Sequence, residues 1–274
     1  MSAAEWEEEL PEHEVDGEWL PARLAGEDDH RSLSLGLLAM APLFVAYELG
    51  LDADPELVRG QSEQALFRLL AVAPGELALL GRWVILALVV LGAAISCYRR
   101  RVAIGPSLAR VLLEGLAGAI VLGPALALGM RLLGVELSVE PLRSQPTLPE
   151  AARVLGGAAF EELLFRVLLY GALYVLARRL LLLVRLPERV AGVVGDLVAI
   201  GGSAFGFAGV HLAAWTGWIS ASGEGYDPAV FLWRLLAGVF LALLFRWRGP
   251  GVAAWSHGLF NLALLIGADP EVFL

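Results

Sequence analysis

Long apolar stretches separated by short polar connections run through this chain from residue 32 onward, and seven of them are long enough to be helices of a membrane protein. The first runs roughly Ser32–Leu51, the second Glu76–Tyr98 and the third Ser107–Leu133. The fourth starts near Glu150, the fifth lies within Val190–Ile219, the sixth runs Ala229–Trp247 and the seventh Val252–Gly267. The runs are continuous rather than alternating, which argues against a β-barrel. The pattern predicts an all-α fold: a polytopic transmembrane helical bundle of about seven spans, enclosing an intramembrane active-site cavity.

Polar and small residues add detail. Between the first two helices, Ser62–Val72 has the pattern of a short amphipathic interfacial helix. Pro124 predicts a kink in the third helix. The fourth apolar run continues past Gly171 to about Leu186, longer than the roughly 20 residues one crossing needs, so its end is expected to lie along the membrane surface. Gly249-Pro250 is a sharp stop between the last two helices.

Composition agrees with the pattern: 58% of the 274 residues are hydrophobic and the mean hydropathy is +0.69. The net charge of −9 is local. Residues 1–31 hold eleven acids against Arg23 and Arg31, so this segment alone carries −9 and the remainder is balanced. It is read as an acidic, disordered, cytoplasmic tail. Residues 32–149 then form three transmembrane helices with their loops, and 150–274 a four-helix part bearing the chemistry. Nothing resembles a nucleic-acid surface, which needs a basic patch. Every cation is arginine, which points to a GC-rich, bacterial genome and hence to the inner membrane. Arginines collect on the side that holds the N-terminus, which places it in the cytoplasm. Cys97 is the only cysteine, so no internal disulfide forms.

The candidate chemistry lies where charge is most costly. Glu161, Glu162 and Arg166 interrupt the fourth apolar run, and His211 and His257 sit in two later ones, with Asn261 one turn after His257. Glu162 and Arg166, four apart, share a helix face and can pair. Glu161 lies about 100° around the helix from Glu162 and is left for another partner. Two arrangements follow. In one, Glu161 and His211 deprotonate a water that attacks a carbonyl, while His257 and Asn261 stabilise the oxyanion. In the other, Glu161, His211 and His257 hold a divalent metal such as zinc. Both amount to peptide hydrolysis within the membrane. Glu48, Glu114 and Asp196 are read as unmatched ionisable groups, snorkelling or structural, and of these Glu114 is expected to come nearest the cavity.

Glu161-Glu162 followed by Arg166, Phe207 by His211, and His257 by Asn261, in this order on three apolar helices, resemble the CAAX-processing and bacteriocin-processing (CPBP, or ABI) intramembrane proteases. The resemblance covers roughly residues 150–265. It implies a glutamic-type endopeptidase with Glu161 and His211 activating water and His257 and Asn261 supporting the oxyanion. Glu162, Arg166 and Phe207 would be supporting residues. It further implies no tightly bound metal, with zinc the alternative. The substrate would be a membrane-anchored protein cut near its C-terminal end, including a C-terminal sorting or anchor segment. The rival readings are a scaffold or bacteriocin-immunity protein on the same fold, or a proton-coupled transporter.

Overall fold

The computed structural model describes residues 32–69, 76–135, 145–217 and 223–267. The acidic segment 1–31 lies outside the described residues. Helix α1 spans Leu33–Ala53, α2 Gln61–Leu69, α3 Glu76–Arg99 and α4 Ile104–Leu132. A long rod follows: α5 (Leu148–Glu162), a π-helical stretch (Leu163–Tyr170) and α6 (Gly171–Leu183). Then come α7 (Glu188–Gly209), the single turn α8 (Ala213–Thr216), α9 (Pro228–Arg248) and α10 (Pro250–Leu265).

Among the described residues, five helices are long and apolar enough to cross a membrane: α1, the Leu80–Arg99 part of α3, α4, α7 and α9. The rod and α10 pack among them. The chain is an integral membrane protein, an all-α helical bundle. Outward faces carry exposed Leu88, Leu91, Leu113, Val193 and Leu197, side chains suited to lipid rather than water.

Local chemistry sets the helix ends. Thr147 and Glu150 form a capping box at the start of α5, with Pro149 in its first turn. Asp227 caps α9 by accepting from the amides of Ala229 and Val230, ahead of Pro228. Gly249 closes α9 and opens α10 at φ 85° and ψ 174°, a conformation that glycine alone adopts readily.

Beyond Gly171 the chain continues as α6 and packs along α7, burying Tyr174. The π-helical stretch, which widens the turn, is what turns a new face of the same rod toward α7. Upstream, α5 packs instead on α1 and α10. There Phe160 sits between Phe44 and Tyr47, each ring 4.9 Å away. The Trp255 indole N–H donates to the Ala39 carbonyl at 2.8 Å and ties α10 to α1.

Candidate active site

A cavity of about 310 Å³ lies between α4, α5, α9, α10 and the end of α7, at the small end of the size range for ligand pockets. Glu161, His211, His257 and Asn261 all line it, as does Phe207. Glu162 and Arg166 lie behind the wall, both without exposed surface.

The polar side chains come from three places: Glu161 and Glu162 from α5, His211 from the end of α7, and His257 and Asn261 from α10. Gly258 brings α10 close enough to α5: a Cβ there would stand 2.7 Å from the Leu155 carbonyl oxygen. That approach lets the neighbouring His257 reach both glutamates. Its Nδ1 is 2.9 Å from Glu162 Oε1, and its Nε2 is 3.5 Å from Glu161 Oε2. Glu162 in turn faces Arg166 Nε at 3.2 Å, the pairing that their spacing predicts. This contact is ionic only, because Nε, Nη1 and Nη2 of Arg166 find no hydrogen-bond acceptor among the described residues. The guanidinium also lies over the face of Phe207, 5.0 Å from its centroid.

Phe207 is the wedge of the site. It meets His211 and His257 edge to face, each at 5.5 Å between ring centres, and so spaces the two imidazoles. His211 sits just past the end of α7, its Nδ1 2.9 Å from the Phe207 carbonyl. A carbonyl only accepts, so Nδ1 carries the hydrogen and Nε2 keeps a free lone pair. The cavity therefore presents a carboxylate (Glu161), a basic imidazole nitrogen (His211), a second imidazole held by a buried carboxylate (His257) and an amide (Asn261). This set can take a proton from water and donate to a developing negative charge. Among the described residues no three His, Cys, Asp or Glu side chains are grouped as a metal ion requires.

Residues 144–263 match the family model described as Rce1-like, Type II CAAX prenyl endopeptidase. This segment is Rce1-like. All three motifs fall inside it, and the match supports an intramembrane endopeptidase of the CAAX class in general. No curated protein and no solved structure matches the chain.

Several expectations about the site change in detail. His257, expected beside Asn261 as oxyanion support, also touches both glutamates of the Rce1-like segment. Glu114 is not among the residues that line the cavity; it pairs with Arg110 at 2.9 Å and faces Arg248 at 3.6 Å. Asp196 is not unmatched: it accepts from the Tyr170 hydroxyl at 2.7 Å and from Arg246 at 2.8 Å. Nor is Glu48, which binds Arg59 at 2.9 Å. Sequence reasoning misses eight lining residues, among them Leu122 of α4 and Trp233 and Arg234 of α9. An arginine only six residues inside an apolar helix was the available signal for Arg234.

Proposed function

We propose that this protein is an intramembrane endopeptidase that cuts a membrane-anchored protein near its C-terminal end, releasing a sorting or anchor segment. Glu161 and His211 activate the attacking water. His211 Nε2 takes one proton, and Glu161 holds the water against the scissile carbonyl. The proton then passes to the leaving amine. His257, held through Nδ1 by Glu162, turns Nε2 toward the reacting centre. With Nε2 protonated, it and the Asn261 amide donate to the oxyanion. Arg166 pairs with Glu162, and Phe207 fixes the separation of the imidazoles.

The observation that carries this reading is the convergence of Glu161, His211, His257 and Asn261, from three separate helix regions, on one cavity. Water activation is assigned to Glu161 and His211 because both line the cavity and His211 Nε2 keeps a free lone pair there. A bacterial inner membrane with the N-terminus in the cytoplasm goes with this reading, supported by the arginine distribution.

The test compares the reconstituted wild type with Glu161→Gln and His211→Ala. Each is incubated in lipid with membrane-anchored proteins from the same source, with and without a chelator, and cleavage is read by intact mass. Cleavage by the wild type alone, unchanged by chelator, is expected. Variants that cut as well as the wild type would refute the assignment; metal-dependent cleavage would move Glu161, His211 and His257 to ligand roles.

A further inference from the structure

One charged residue of the cavity wall has no part in the water chemistry. Arg234 is the only lysine or arginine among the described residues that line the cavity. Its partner is Glu224, which belongs to the connection between α8 and α9. The pairing is two-pronged: Arg234 Nη2 donates to Glu224 Oε1 at 2.9 Å, and Nη1 lies 2.8 Å from Oε2. A guanidinium held this way presents the planar fork that matches a carboxylate.

The backbone of Glu224 is pinned independently of its side chain. Its N–H donates to the His211 carbonyl at 2.8 Å, and its carbonyl accepts from the Ala213 amide at 2.9 Å. The strand-like contact is close enough that a Cβ on Gly223 would collide with the Ala213 backbone. The carboxylate itself is only loosely committed, since the side chain is 57% exposed. An exposed ion pair is weak, so the carboxylate can swing away while the connection stays in place. The wall next to Arg234 is apolar, with Val230, Trp233, Ala237 and Leu264.

We propose that Arg234 receives the free C-terminal carboxylate of a peptide whose last residues are apolar, and that Glu224 occupies this place in the unliganded protein. The proposal rests on the endopeptidase reading for its substrate, and makes Arg234 a positioning residue. A carboxylate seated there holds the chain end at a fixed distance from Glu161 and His211, so the cut falls at a set position from the C-terminus. Glu224 serves as an internal competitor that a chain end must displace.

The test uses the full chain in lipid vesicles. The probe is an N-terminally fluorescent, S-farnesylated peptide ending in cysteine and three apolar residues, made once with a free carboxylate and once as the C-terminal amide. Binding is measured on Glu161→Gln protein, so that hydrolysis does not intervene. The free acid is expected to bind tenfold or more tighter than the amide, the scale of a charge-assisted pair. Arg234→Gln should bring the ratio to about one by weakening the acid alone, and Arg234→Lys should restore part of it. Glu224→Gln should tighten the acid several-fold and leave the amide unchanged, a result that a merely structural clasp would not give. An acid-to-amide ratio that survives Arg234→Gln overturns the proposal, as does failure of the free acid to bind. Cleavage by the wild type is scored separately by mass. An Arg234-dependent ratio without cleavage supports this proposal and refutes the hydrolysis reading; cleavage with no acid preference does the reverse.

Discussion

Replacing Arg166 by methionine tests what the buried cation does for the site. Arg166 has no exposed surface and no hydrogen-bond acceptor among the described residues; what it has is Glu162 at 3.2 Å and the face of Phe207 at 5.0 Å. Methionine keeps much of the volume and removes the charge, so little of the effect is a cavity. Of the two contacts the ion pair dominates, because a desolvated cation–π contact is worth about 2 kcal/mol. Breaking a buried pair from one side costs about 3–5 kcal/mol, since a carboxylate is left without its cation. Arg166→Met is therefore expected to lose about 3–5 kcal/mol of stability. Glu162→Gln combined with Arg166→Met removes both charges, and the amide oxygen of glutamine still accepts from His257 Nδ1. This double variant should recover to within roughly 1 kcal/mol of the starting protein, in line with the near-neutral replacement of buried pairs by uncharged ones. The assay is reversible unfolding in mixed micelles, followed by tryptophan fluorescence and set out as a double-mutant cycle. Additive losses, with a coupling below about 0.5 kcal/mol, would refute the reasoning.

Other outcomes follow from the same geometry. Gly258→Val should push α10 from the Leu155 carbonyl and abolish cleavage with less effect on overall folding, to be read by activity beside thermal unfolding. Gly249→Ala, at φ 85°, should cost about 1–3 kcal/mol of stability in the same unfolding assay. Phe207→Leu should leave the protein folded and lower the cleavage rate at least tenfold, as the imidazoles lose their spacer; a rate within twofold of wild type would count against that role. The hydrogen bond from Arg234 holds the Glu224 carboxyl below the usual carboxylate range. A lowered value means that the clasp stabilises at neutral pH and is lost as pH falls below the unfolded value of about 4.3 and through the folded one. Arg234 is the charged group and His211 the titratable group that face it, and carbon NMR of the Glu224 side-chain carboxyl, with a titration midpoint below that of an unpaired glutamate, would report the change.

Hydrophobic periodicity made the helices legible because lipid demands apolar runs of a fixed length. The Glu162–Arg166 pairing was legible for a similar reason, being a matter of spacing within one helix. The contact of His257 with both glutamates was not, since 95 residues separate His257 from Glu162 and the register of α10 on α5 depends on Gly258 meeting Leu155. The π-helical stretch was hidden because Leu163–Tyr170 has the composition of any apolar helix. Arg234 read as an ordinary arginine near a membrane surface, since its partner Glu224 lies in a polar connection with no pattern of its own. Glu114 misled for the opposite reason: a lone acid in an apolar run suggests a cavity, yet Arg110 one turn away already satisfied it.

The widened stretch from Leu163 to Tyr170 gives the long rod two separate phases. Glu161 and Glu162 are timed to α1 and α10, whereas Tyr170 and Tyr174 are timed to α7 and Asp196. Deleting one residue inside the stretch would rotate the downstream half by about 100° and leave the upstream half untouched. Insertions and deletions in these eight residues thus act as a dial on the α6–α7 seam and spare the glutamates, whereas the same change a few positions earlier would turn Glu161 out of the cavity and Glu162 off His257.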